Sequence, residues 1–295
     1  MSFRNLNGLR TVQVMAKEAG LYTGKIDGKL GPGSLGGLQT MVGFHFKATT
    51  GRELPAVRRT LIQGDADRQA IGQIQDLCKT AGTYTGDVDG VYGPNTRMAL
   101  FVPYKSYTTA ANCPVYDTAW SKKVSKAFIA KIRAWVKLRG HPIEAVDWLM
   151  ACIHFESGGT FSPSIQNGAG AQAFGLIQFM TGAAKDLGTT LDKIKAMSQM
   201  DQLDLVFAYF DLWAKWGKRY NQLEDFYLTI FYPKAVGMTA DQVLFDKNNP
   251  AYLKAYTQNR GFDFDKDGKI TIGEISARLY DTYYLGMDTT NRVLA

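Results

Sequence analysis

The feature that most limits what this chain can fold into is a duplication within its first hundred residues. Residues 19–32 read AGLYTGKIDGKLGP and residues 81–94 read AGTYTGDVDGVYGP, an offset of 62 with nine of fourteen positions identical. A segment repeated at this spacing is expected to fold as the same small unit twice. Apolar residues at helical spacing precede each copy: Leu9, Val12, Val14 and Met15 before the first, and Ile71, Ile74 and Leu77 before the second, with Gln13 matching Gln75. Inside the loop, Gly28 can take positive φ and Asp27 can bond its own downstream backbone. Pro32 and Pro94 suit the first turn of a following helix. The unit is predicted as helix, tight loop, helix, and a purely structural repeat would look the same on these residues alone.

Both copies resemble the small three-helix peptidoglycan-binding domains, whose signature runs approximately Gly-Tyr-Tyr-x-Gly-x-x-Asp-Gly-x-Phe-Gly-Pro. The resemblance implies wall contacts from Tyr22 and Asp27 in the first copy and from Tyr84, Asp89 and Tyr92 in the second. Tyr22 and Tyr84 would stack on sugar faces, against the alternative that they pack the loop. Leu21 and Thr83 depart from the first aromatic place, Leu30 departs from the later one, and Gly-Ser-Leu-Gly-Gly at 33–37 stands where helix formers are usual. The second copy, with Tyr92, Asn95 and Thr96, is nearer the family. Residues 103–120 are turn-rich without helical periodicity, so the chain is expected to divide into repeats at 1–65 and 66–115 and a larger domain at 116–295.

Beyond that point the pattern changes. Residues 122–139 hold seven basic residues and no acid, with Val124, Phe128, Ile129, Ile132 and Val136 at helical spacing, which reads first as a solvated basic face. Next, Ile143, Val146, Leu149, Met150, Ile153 and Phe155 mark an apolar helix that ends in Glu156, Ser157 and a glycine pair. A carboxylate there meets the negative end of the helix dipole and apolar neighbours, and both favour the protonated form. That is the condition a general acid requires near neutral pH. Taken alone, an exposed Glu at a helix end reads the same. No Asp or Glu lies between Ser157 and Lys185, and the apolar run 173–180, AFGLIQFM, reads as the opening of another helix.

Glu-Ser followed some twenty residues later by Gly-Leu-Ile-Gln resembles the soluble lytic transglycosylases of the lysozyme-like fold. That resemblance implies a catalytic Glu156, with Ser157 and Gln178 bonding sugar groups nearby. It implies a tyrosine of a later Ala-Tyr-Asn motif, best matched by Tyr232 in TIFYPKAVG, with Tyr227 as the second candidate. Ile177 replaces a Met and Pro233 an Asn, the latter a departure shared with phage lytic enzymes of this type. Glu156 would protonate the bridging oxygen of the MurNAc-β-1,4-GlcNAc bond, then take the proton of the MurNAc C6 hydroxyl as a 1,6-anhydro ring closes. A hydrolase needs a second carboxylate, for which Asp186, Glu224 and Asp225 are the candidates.

Near the end, 263–274 reads DFDKDGKITIGE and matches the Asp-x-Asp-x-Asp-Gly-x5-Glu calcium-loop pattern at Asp263, Asp265, Asp267, Gly268 and Glu274, with Lys269 offering a carbonyl. The expected role is a structural calcium, with no cofactor for catalysis.

The fold class expected is mainly α: small helical repeats followed by a larger lysozyme-like helical domain. Hydrophobic content of 45% and charged content of 21% exclude a disordered or fibrous chain. No run is long and apolar enough for a membrane span, the start lacks the apolar core of a Sec signal peptide, and stable membrane insertion is not expected. Three scattered cysteines and three histidines give no zinc or redox spacing. The net charge of +7 favours anionic partners. Residues 1–115 carry 13 basic and 8 acidic residues, so they hold +5 of that excess. Nothing here calls for a nucleic acid. The whole pattern resembles the modular endolysins of large phages: a monomer made in the host cytoplasm that reaches periplasmic peptidoglycan on release and lyses the cell. The competing expectations are a muramidase of the same fold, a cell-wall binding protein with an inactive lysozyme-like domain, and a calcium-sensing adaptor.

Overall fold

A computed structural model describes residues 3–166 and 172–295 of the chain, which is mainly helical. Asn167, within the acid-free stretch between Ser157 and Lys185, lies outside the described residues. Two compact units are present, one of Met1–Asp117 with Met287–Ala295 and one of Thr118–Gly286. Among the described residues no helix is long and apolar enough to cross a membrane.

Among its described residues the first unit holds four α-helices, α1 (Phe3–Glu18), α2 (Pro32–Thr50), α3 (Ala66–Thr80) and α4 (Pro94–Ala110). Asp65 caps α3 by accepting the Arg68 N–H, and Pro32 and Pro94 stand in the first turns of α2 and α4. The expected boundary at 65/66 does not separate two bodies. Leu9, Val12, Leu38 and Met41 of the first copy share one buried core with Ile71, Ile74, Leu77 and Leu100 of the second. Asn5 donates to the Gly90 carbonyl and accepts from the Tyr92 N–H. The Tyr92 ring lies where a side chain at position 8 would stand, so only Gly8 admits it. A unit of one helical pair is too small to bury its apolar face, and the second copy supplies the missing wall.

Residues 103–110, expected as irregular, are helical. Pro103 is buried inside α4, and Tyr104 and Tyr107 pack against the core. The Tyr104 hydroxyl donates to Glu18 Oε2 at 2.6 Å. Arg292 from the C-terminal segment closes the same network. It is 5% exposed, meets Glu18 Oε1 at 2.5 Å, and donates to the carbonyls of Asp117, Met287 and Tyr116. The last nine residues therefore belong to the first unit, where Tyr116 and Leu294 form an antiparallel bridge.

The second unit begins with α5 (Lys126–Leu138), capped by Ser125, and α6 (Ala145–Glu156). A hairpin of β1 (Ala173–Phe174) and β2 (Phe179–Met180) follows, then the short α7 (Thr181–Asp186) and α8 (Leu191–Ala196). The long α9 (Gln199–Lys215) and α10 (Leu223–Phe231) pack with α5 and α6 around an aromatic core. Trp135 stacks on Phe207 at 4.9 Å, and Phe226 meets Trp135, Trp148, Phe210 and Tyr220. A second hairpin pairs β3 (Val243–Asp246) with β4 (Lys269–Thr271), spanning α11 (Leu253–Asn259) and leading into α12 (Ile272–Met287).

The run 173–180 is a hairpin and not the start of a helix. Gly175 at φ +84° and Gln178 at φ +52° lie in the left-handed region, which a helix cannot accommodate. The helix starts at Thr181 instead.

Candidate active site

Glu156 is the last residue of α6, a helix whose other residues are chiefly buried and apolar. It stands where two cavities of the second unit meet, one of about 500 Å³ and one of about 570 Å³. Glu156, Gln178, Phe231 and Asn259 line both. Burial pushes the Glu156 carboxyl up to about 8 from the ordinary 4.5, with a hydrogen bond from Tyr227 pulling the other way. At pH 7 such a group is about nine-tenths protonated.

Tyr227 comes from α10 and is buried. It is held edge-on by Phe155 at 5.2 Å and stacked on Phe231 at 5.7 Å. Burial and the neighbouring Glu156 keep its phenol well above the ordinary range, so it stays a hydrogen-bond donor. Tyr232, the first-choice tyrosine on the sequence motif, is elsewhere. It follows the end of α10, and its ring packs edge-to-face on Phe245 at 5.5 Å without lining either cavity. The residues on either side of it, Phe231 and Pro233, do line the cleft.

Ser157 is fully buried, and its hydroxyl accepts the Phe161 N–H at 2.9 Å, where Phe161 sits at φ +53°. Its side chain therefore secures the turn after α6, and the residue also stands in the lining of the first cavity beside Glu156. Gln178 donates to the carbonyls of Ile165 at 3.2 Å and Gly175 at 3.0 Å, while its buried Oε1 has no partner among the described residues. An oriented amide with a spare acceptor on a cleft wall is suited to receive an N–H from a ligand.

The hairpin turn carrying Gln178 is fastened by Gln202 of α9, which the sequence reading missed. Gln202 is fully buried, accepts the Leu176 N–H at 2.6 Å and donates to the carbonyls of Pro163 and Ile194. A Cβ at Gly175 would strike it. The only hint in sequence is a glutamine beside Leu203, Val206 and Phe207 on a helix face that is otherwise apolar. Asn259 and Phe262 also line the first cavity, with Phe262 against Phe231 at 5.6 Å, and no local motif marks them.

Of the candidate second carboxylates, Asp186 lines the second of these two cavities and Glu224 and Asp225 line neither. Glu224 accepts from the Tyr280 hydroxyl at 2.9 Å, and buried Asp225 accepts from the Asn221 N–H at 2.9 Å. His154, two residues before Glu156, stacks on Trp120 at 3.6 Å, and burial holds its imidazole down to about 4. It is neutral at pH 7 and no rival proton donor.

The repeat residues are used inside their own loops. Gln13 donates to Asp27 Oδ1 at 2.9 Å and accepts the Gly28 N–H, while Gln75 does the same with Asp89 at 2.8 Å and Gly90. Tyr22 and Tyr84 donate to the carbonyls of Lys25 and Asp87, three residues on in each copy. Tyr84 and Tyr92 are buried. Through these bonds the duplicated Gln, Tyr and Asp form a repeated loop lock. Burial opposes the low Asp27 and Asp89 carboxyl pKa values, and the Gln13 and Gln75 amides lead the hydrogen bonds that hold them down.

In the acidic loop, Asp263, Asp265 and Asp267 each offer an oxygen within 4.8 Å of the others. Asp263 Oδ1 has no partner among the described residues, and its Oδ2 accepts from the Tyr256 hydroxyl at 2.6 Å. Lys269 opens β4, and its N–H donates to Asp267 Oδ1. Glu274 does not join the three aspartates. Its oxygens accept the N–H groups of Phe264 and Thr271 and the Thr271 hydroxyl, which closes the loop without a metal. The three-aspartate face fits a hard divalent cation, and the full five-residue set would require Glu274 to exchange those bonds.

No protein-family model matches the sequence, and no curated protein matches it.

Proposed function

We propose that the second unit cleaves the glycan strands of bacterial peptidoglycan, with Glu156 as the general acid and then the general base. The observation that carries this reading is a carboxyl with a pKa of about 8 at the junction of two cavities, hydrogen-bonded by Tyr227. A mostly protonated Glu156 donates to the bridging oxygen of the MurNAc-β-1,4-GlcNAc bond as positive charge develops at the anomeric carbon. The resulting carboxylate, stabilised by the Tyr227 hydroxyl, then takes the C6 hydroxyl proton as O6 closes on C1 to give 1,6-anhydroMurNAc. Gln178 receives an acetamido N–H on its free Oε1 and orients the sugar. The chemistry needs no cofactor.

The duplicated first unit, with its basic excess, serves attachment to the same polymer. Its loop-lock residues Tyr22, Asp27, Tyr84, Asp89 and Tyr92 shape the surface rather than contact the wall directly. Asp263, Asp265 and Asp267 would hold a structural calcium ion. The biological setting that suits these parts is a phage endolysin, acting as a monomer on the host's periplasmic wall during lysis.

A muramidase is the second reading, favoured by one observation: Asp186 shares the cleft with Glu156. The products decide between them. Purified protein is incubated with sacculi beside its Glu156→Gln variant, and the released muropeptides are examined by mass spectrometry. Anhydro ends mark transglycosylation, and reducing MurNAc ends mark hydrolysis.

A further inference from the structure

We propose that the cavity running from Glu156 to Asp186 is a saccharide subsite in which Trp213 donates its indole N–H to a hexosamine and Asp186 accepts from one of its hydroxyls. This rests on the reading of Glu156 as a glycosidic acid. Three observations support it. First, the cavity is about 570 Å³, within the range of small-ligand sites, and opens beside Glu156, so it takes the sugar adjacent to the bond under attack. Second, Trp213 lines it with its Nε1 buried and without a hydrogen-bond partner among the described residues. The nearby Tyr209 hydroxyl feels that N–H, which lowers its pKa against a larger effect of burial, but its own proton goes to the Thr229 carbonyl at 2.9 Å and Trp213 Nε1 keeps no hydrogen-bond partner among the described residues. A buried N–H of this kind is stabilised once a ligand brings an acceptor. Third, Trp216 packs edge-on against Trp213 at 4.8 Å and 87°, fixing the indole plane.

The surrounding wall suits a pyranose. Ile177, Met180, Ile230 and Pro233 offer apolar surface to the C–H face of a ring, and Asp186 and Trp213 supply an acceptor and a donor for its polar rim. Gly182 and Ala183 leave room between them. The first cavity, lined by Thr160, Gln166 and Gln178, offers the more polar surroundings on the other side of Glu156.

The test uses the full chain carrying Glu156→Gln, so that the sugar is bound and not cut, titrated calorimetrically with the β-1,4-linked GlcNAc tetrasaccharide. Adding Trp213→Phe, which keeps the ring and removes only the N–H, is expected to raise Kd about ten-fold with an unchanged Tm. Asp186→Asn, at an exposed position, is expected to raise Kd by a similar factor, and it carries the test alone if Trp213→Phe lowers the Tm. Unchanged Kd in both variants, while the wild-type chain still cuts sacculi, overturns the subsite and leaves the role of Glu156 standing. Loss of turnover by Asp186→Asn in the wild-type background with unchanged Kd assigns Asp186 to the reaction instead. A parent that binds no tetrasaccharide, together with a wild-type chain that cuts nothing, removes the reading of Glu156 and the subsite with it.

Discussion

Replacing Glu156 by Gln should stabilise the second unit, and the gain should grow with pH. Burial moves this carboxyl from 4.5 to about 8, so folding favours its protonated form. Below pH 4.5 both states carry the proton and folding bears no penalty. As pH rises further, the unfolded carboxyl ionises while the folded one keeps its proton, and each pH unit removes about 1.4 kcal/mol of stability. The loss is about 1 kcal/mol at pH 5 and about 3 kcal/mol at pH 7, and it levels off near 5 kcal/mol above pH 8, where the folded group ionises too. Glutamine has no proton to lose, keeps an acceptor for Tyr227, and escapes the whole penalty. The assay is urea unfolding followed by tryptophan fluorescence at pH 5, 7 and 9. All five tryptophans, Trp120, Trp135, Trp148, Trp213 and Trp216, lie in Thr118–Gly286, so the signal reports the unit that holds Glu156. The variant's advantage should widen by about 4 kcal/mol between pH 5 and pH 9. An advantage that is absent, or equal at both pH values, would refute the claim that Glu156 is held protonated by burial.

Four further outcomes follow from the same geometry. The kcat/KM of glycan cleavage should fall as pH rises through about 8, the pKa of Glu156. Because the Tyr227 hydrogen bond lowers that pKa, Tyr227→Phe should move the basic limb upward by about one unit, whereas Tyr232→Phe should leave it in place. Arg292→Ala strands Glu18 in a buried network and should cost the first unit about 3 kcal/mol, read by far-UV circular dichroism as a separate, earlier transition. A single transition at the wild-type midpoint would contradict it. Calcium at millimolar concentration should raise the Tm of the wild-type chain and not that of Asp263→Asn/Asp265→Asn, with differential scanning calorimetry as the check. Equal shifts in both would mean the ion acts elsewhere.

What could be read from sequence was whatever depends on local pattern. The duplicated loop announces itself by identity, and α6 by its apolar spacing, with Glu156 at its end and glycines after it. The loop lock formed by Gln13 and Gln75 was visible as a matched pair, but its purpose was not, because the same Tyr and Asp can serve a ligand or a turn. Three misreadings share one cause, that the deciding contacts are distant in sequence. Tyr232 fits a motif, yet α10 ends one residue earlier and sends that ring to Phe245, while Tyr227 on the helix reaches Glu156. The 173–180 run has helical composition, but Gln202 binds its turn from α9 and fixes it as a hairpin. The two repeats read as separate domains, although Tyr92 needs Gly8 and Asn5 of the other copy to be buried. Asp186, Trp213 and Asn259 carry no local pattern at all, and only the tertiary fold brings them to the cleft.

The proposed role of Glu156 is to perform, alone, both proton transfers of a ring-closing cleavage. Its most direct test is the mass of the glycan ends released from sacculi by the wild-type chain and by Glu156→Gln. The expected result is 1,6-anhydroMurNAc ends from the wild type and no release from the variant. Reducing MurNAc ends would contradict the ring closure and put Asp186 into the reaction, and undiminished release by the variant would remove Glu156 from it.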